Sequence, residues 1–201
     1  MKPVAALAAL EFEEVATGLF ATDALLKKAP ISFVKTGTIT RGRYLTLFGG
    51  STASVEESFR EGVFHGGGAL LDQVFLPDVH PRLFVALGGG RREPGPLALA
   101  LLETPTVCAA ILAAEVTLKG TGVDLLEIRI GDQGLGGKGI VLLSGELHEV
   151  EAAVEIAERR LGPGRLAWKI LPRPHDALAR AVGGGTSFGK ADLVALPGER
   201  G

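Results

Sequence analysis

Apolar and polar positions fall into the same order of patterns twice along this chain. Ala5 to Phe12 and Leu97 to Glu103 are short, nearly continuous apolar runs of the kind that form buried strands. Helical spacing follows each of them, over roughly 14–29 and 105–120. In the second helix Val107, Ile111, Ala114 and Leu118 recur at i, i+4, i+7 and i+11, which places them on one face. Pro30 stops the first helix. Two strands flanking a loop come next: Ile31 to Lys35 and Tyr44 to Phe48, then Leu125 to Ile130 and Ile140 to Leu143. A further helix is expected at about 54–64 and at 147–160, with Ser54 and Glu57 at capping-box spacing. A fourth strand, 69–76 and 165–171, ends in Leu-Pro, and a short helix starts near His80 or His175. The order β-α-β-β-α-β predicts an α+β fold of two tandem ferredoxin-like units with short extra helices, each an antiparallel sheet carrying helices on one face.

The two halves align residue by residue. At a shift of 92, Ala6, Leu7, Ala8, Leu10 and Glu11 match Ala98, Leu99, Ala100, Leu102 and Glu103, and Val15, Ala21, Leu26 and Lys27 match Val107, Ala113, Leu118 and Lys119. Beyond about residue 36 the shift becomes 95, so the second copy carries three extra residues near its glycine cluster. Gly42, Val55, Leu76, Pro77, His80 and Leu83 then match Gly137, Val150, Leu171, Pro172, His175 and Leu178. An ordered run with a single length change marks a duplication. The expected domains are 1–88 and 97–183, joined by a Gly/Pro linker at 89–96 and followed by a tail at 184–201. Within that tail, Ala191 to Leu196 reads as a frayed end or a docking peptide.

Composition narrows the function. The chain is 46% hydrophobic and 22% charged, which supports a packed core rather than disorder. A net charge of −2 with scattered Lys and Arg gives no basic footprint for nucleic acid. The apolar N-terminal stretch is interrupted by Glu11, Glu13 and Glu14, too early for a secretory or membrane-spanning segment. With one cysteine, Cys108, no intramolecular disulfide forms, and a soluble cytosolic protein is expected.

Asp23 to Lys27 and Glu115 to Lys119 resemble the first-helix signature of bacterial microcompartment shell domains, and Ile170-Leu171-Pro172-Arg173-Pro174-His175 resembles that family's strand-end motif. Leu76-Pro77-Asp78-Val79-His80 is a weaker copy that keeps Pro and His. The resemblance spans residues 5 to 182, and the order of motifs is that of the direct tandem type, not the permuted one. It implies a homotrimer whose six units form a hexagonal tile. Such tiles meet other shell proteins edge to edge in a bacterial cytoplasm and pass small metabolites through a central pore.

The resemblance also assigns residues. The loops Thr36 to Gly42 and Gly131 to Lys138 would line the pore, through Thr38, Ile39, Thr40, Arg41, Gly134, Leu135 and Gly136. Glycine lets several backbones crowd an axis, and their amides and Arg41 would favour anions, with Asp132 opposing. Read without the resemblance, these are ordinary surface loops. Lys27, Lys119, His80, Arg173 and His175 would be tile-edge contacts; the bland reading of the lysines is a solvated helix face. Gly137-Lys138 fails as a phosphate loop, since Asp132 stands where its first glycine belongs and Gly139 follows the lysine. No metal is expected, because His65 and His148 show no paired spacing with the other histidines. An iron–sulfur cluster at the pore would need pore-loop cysteines, and Cys108 aligns with Ala16 inside the helix, so no cofactor is expected. No nucleophile–base set or carboxylate pair emerges, which points away from an enzyme. The rival reading is a ferredoxin-like trimer that binds a small regulatory ligand between subunits.

Overall fold

The computed structural model describes residues 4–95 and 97–187; the Ala191 to Leu196 run lies outside them. The first unit consists of β1 (Ala6–Phe12), α1 (Val15–Lys28), β2 (Phe33–Ile39), β3 (Arg43–Gly50), α2 (Thr52–Gly66), β4 (Leu70–Leu76) and α3 (Pro81–Leu87). The second repeats the order as β5 (Ala98–Thr104), α4 (Val107–Gly120), β6 (Asp124–Arg129), β7 (Gly139–Gly145), α5 (Leu147–Leu161), β8 (Ala167–Leu171) and α6 (Asp176–Gly183). Each sheet is wholly antiparallel, ordered β2-β3-β1-β4 and β6-β7-β5-β8. That is the ferredoxin-like topology expected from the sequence.

Period-two side-chain direction splits β1 between two cores. Ala6, Ala8, Leu10 and Phe12 face α1 and α2 with Ala21, Leu25, Phe48 and Val55. Leu7 and Ala9 face the other way and join Val74, Leu76 and Leu83 in one continuous core with the second unit's Ala100, Leu102, Ile111 and Leu143. The two units therefore share their larger core. Close packing of helix on strand uses opposite solutions at equivalent positions. In the first unit Gly18 of α1 lies under Tyr44, and in the second Ala110 of α4 lies over Gly139.

Two local expectations change. β2 continues to Ile39, so Thr36, Gly37, Thr38 and Ile39 are strand residues, and the connecting turn is only Thr40–Gly42. Strand pairing through Ile39 with Arg43 satisfies the backbone further than the polar sequence suggested. The cap of α2 is Ser51, whose hydroxyl accepts from the Ser54 amide at 3.3 Å; Ser54 lies inside the helix and forms no capping box with Glu57. Among the described residues no helix is long and apolar enough to cross a membrane.

Candidate functional site: the paired turns, the unit junction and the rim

The β2–β3 and β6–β7 turns lie side by side. Each is a short 3-10 turn, Thr40–Gly42 and Gln133–Leu135, that exits through two successive left-handed residues. In the second unit these are Gly136 and Gly137 (φ 58° and 84°), in the first Arg41 and Gly42 (φ 67° and 71°). Arg41 is thus the one described non-glycine residue at positive φ, a conformation that costs an L-residue about 1 kcal/mol. Its side chain is exposed. Thr40 Oγ1 accepts the Gly137 amide at 2.7 Å and ties the two turns together. Gly136 borders open space, Gly134 is exposed beside the Asp132 carboxylate, and Leu135 is half-buried. Asp132, expected to oppose Arg41, instead accepts from the Arg129 guanidinium at 2.9 and 2.5 Å and from the Gly134 amide at 3.0 Å. Its charge is already partnered and its oxygen caps the turn. Thr38 is exposed on β2, while Ile39 leans on Gly131 of the second turn.

Behind the turns runs a junction between units that sequence reading did not foresee. Glu11, fully buried, pairs with Arg43 at 2.9 Å and accepts the Val107 amide at the start of α4 at 2.8 Å. Arg43 also reaches the carbonyls of Gly137 and Pro105. Burial pushes the Glu11 carboxyl above the usual carboxylate range, against the opposing pull of the Val107 amide and Arg43. Arg82, in α3, donates to the Leu125 and Leu126 carbonyls at 2.7 and 3.3 Å, beside the bulge in β6. Cys108 is buried with its thiol toward the Ala9 carbonyl.

At the far end of the sheets the other predicted residues appear. His80 and His175 are helix N-caps: their Nδ1 atoms accept the amides of Arg82 and Ala177 at 3.2 and 3.1 Å. That local role explains why histidine recurs in each repeat. The His80 amide donates to Glu115 at 3.0 Å, and Lys119 bonds Glu115 at 2.8 Å and the Asp78 carbonyl, across the junction. Lys27, the repeat partner of Lys119, is exposed and, among the described residues, pairs with Asp23 at 2.5 Å. Arg173 is exposed and makes no ion pair among the described residues.

A hollow of about 740 Å³ lies beside the junction and is lined by Lys35, Gly88 to Arg91, Glu127 and Arg129. Its Glu127 is already held by Arg91 at 3.6 Å and by Thr186, so little is left to recognise a ligand. Among the described residues no three His, Cys, Asp or Glu side chains converge as for a metal.

Comparison with known proteins places this architecture. The BMC domain matches the chain twice, at residues 6–79 and 98–174. The bacterial microcompartment shell protein PduT of Citrobacter freundii is 31% identical over 179 residues, 88% of this chain and 97% of PduT. The carboxysome shell protein CsoS1 of Prochlorococcus marinus is 37% identical over 100 residues, 48% of this chain and 93% of CsoS1, the length of one unit. A solved microcompartment protein from Desulfitobacterium hafniense shares the fold with a TM-score of 0.75 at 32% identity, covering 89% of this chain and 99% of that one. The fused permuted hexameric shell protein MSM0275 from the RMM microcompartment gives a TM-score of 0.55 at 26% identity, over 79% and 85% of the two chains. With two BMC domains in direct succession, the chain belongs to the BMC-domain family and is a tandem-domain shell protein of a bacterial microcompartment.

Proposed function

We propose that three chains close head to tail into a six-unit tile whose central opening is lined by the paired turns, and that the tile serves as wall and metabolite passage, not as a catalyst. One observation carries this reading: equivalent surfaces of the two units are buried once and exposed once. In α4, Val107, Ile111 and Leu118 are 0%, 0% and 8% exposed because they pack at the junction. Their repeat partners in α1, Val15, Leu19 and Leu26, are 37%, 58% and 43% exposed. On the opposite side, Leu76 and Leu83 are covered, whereas Leu171 and Leu178 lie open. The same holds for ions. Glu11–Arg43 is buried, while its equivalent, Glu103–Lys138, is 39% and 54% exposed.

Each chain thus ends in one half of a contact and begins with the other half. A repeated head-to-tail contact of this kind buries both when it closes into a ring. Solution mass by light scattering tests it: about three times 20.9 kDa is expected, and a monomer that never assembles would sink it. Membership of the family supports edge-to-edge association with other shell proteins.

In such a ring Arg41 stands at the opening in three copies. Its left-handed backbone is a strain that Gly136 avoids in the other unit, and retained strain of this sort is a mark of function. We expect Arg41→Gly to raise stability by up to about 1 kcal/mol while weakening preference for anionic metabolites. Arg41→Glu should reverse that preference in assembled shells. Unchanged relative anion flux in Arg41→Glu shells would rule out the electrostatic role.

A further inference from the structure

The first and second units carry opposite charges at one rim position, Asp78 and Arg173, which occupy the same place after β4 and β8. Topology fixes where that place is. β1 runs from Ala6, paired with Gly50, to Phe12, paired with Tyr44 next to the Thr40–Gly42 turn. β4 runs back, from Leu70 beside Phe12 to Leu76 beside Leu7. Asp78 therefore follows the strand end remote from the turn, at roughly 20 Å for seven strand residues. With the turns at the axis, Asp78 and Arg173 lie on the outer rim. The Asp78 side chain is 91% exposed.

The rim cluster inside the chain is acidic, with two carboxylates, Asp78 and Glu115, to one ammonium, Lys119. Its repeat equivalent between chains would combine Arg173 and Lys27 with Asp23, two cations to one carboxylate. Lys28 beside Lys27 is already taken by Glu61 at 3.2 Å. Asp176, in the first turn of α6, keeps its negative charge beside that helix's N-terminal end, so the contrast between the clusters lies in the exchange of Asp78 for Arg173. Around the ring the charge at this one rim position alternates in sign.

Resting on the ring proposed above, we infer that these clusters lie along the tile's edges, and that tiles of this chain join a second copy of themselves through Asp78 of one meeting Arg173 of the next. Hexagons set in one orientation always bring diametrically opposite edges together. With two alternating kinds of edge, opposite edges are always of different kinds. Uniform tiling thus pairs every acidic edge with a basic one, whereas rotating a tile by one edge sets like charge against like. The alternation selects one rotational setting and one partner, as charge complementarity does at other interfaces.

The test is sheet formation by negative stain over a range of protein and salt concentrations, with ring mass measured on the same samples. Asp78→Arg and Arg173→Asp each make all edges alike. Each is expected to raise the concentration at which sheets appear roughly tenfold or more, since weak edge pairs act together. The double variant Asp78→Arg/Arg173→Asp restores alternation with the signs exchanged and should return sheets to near the original threshold. Added salt should weaken wild-type sheets. Because Asp78 also meets Lys119, Arg173→Asp is the arm that leaves the internal junction untouched. Intact rings that tile as well as wild type in the single variants, or a double variant as impaired as the singles, would overturn the edge pairing. Absence of a wild-type ring would overturn the proposed assembly instead.

Discussion

Leu19→Glu is expected to leave the chain folded and to abolish the proposed ring. Leu19 is 58% exposed on α1 and contributes nothing to either core of the single chain. Its equivalent, Ile111, is fully buried where α4 crosses onto β1 and β4. In the closed ring Leu19 would take that environment at each interchain junction. Burying a leucine contributes about 1.5–3 kcal/mol, and a carboxylate in the same pocket lacks a partner and adds a desolvation cost of several kcal/mol. A loss of about 4 kcal/mol per junction is roughly a thousandfold in its dissociation constant. Sedimentation should therefore show a folded monomer at micromolar concentration. Phe64→Glu is the control. Phe64 is more exposed still, at 77%, but its repeat partner Arg159 is exposed too, so this face stays outside the junction and the trimer should persist. A trimeric Leu19→Glu protein would show that the internal junction is not the template for the external one.

The sequence revealed the order of elements because buried strands and amphipathic helices carry strong periodicity and Gly or Pro marks the turns between them. It did not reveal how far β2 runs. That strand lies at the sheet edge with exposed residues on both faces, so Thr36 to Ile39 lack an apolar alternation. Nor did it separate Ser51 from Ser54 as the α2 cap, because the deciding fact is that β3 extends to Gly50. The turn residues Thr40, Arg41, Gly134, Leu135 and Gly136 were legible through family resemblance and glycine clustering, but the pairing of Asp132 with Arg129 was not.

The junction had a signal that a single helical stripe understates. Val107 to Ala114 is apolar or small around the whole circumference of α4, which marks a helix buried on more than one side. Its counterpart α1 keeps charged and polar residues beside Leu19 and Phe20. Comparing the repeats, rather than reading each alone, separates what a unit needs from what its neighbour needs.

The same comparison predicts that one substitution at one repeat position has two outcomes. Glu11→Ala removes a buried carboxylate and leaves the Arg43 guanidinium, 15% exposed, and the Val107 amide without their partner. Breaking a buried pair this way costs about 3–5 kcal/mol, so denaturant unfolding should show a large loss. Glu103→Ala removes the exposed partner of Lys138 and should cost under about 1 kcal/mol in dilute monomer. At concentrations where the ring forms, Glu103 would become the acceptor for the next chain's Val15 amide, as Glu11 is for Val107, and its loss should then weaken assembly. Protonation gives a separate handle on Glu11. Its carboxyl is raised in the folded chain, first by burial, so the folded state holds that proton more tightly than the unfolded state does. Stability from this group is greatest below the ordinary carboxylate value and falls as pH climbs from there through the raised one. Glu11→Gln, which cannot titrate, should flatten that part of the stability–pH curve. An unchanged slope would mean that other carboxylates set it, and equal losses for Glu11→Ala and Glu103→Ala in dilute monomer would contradict the asymmetry on which the proposed assembly rests.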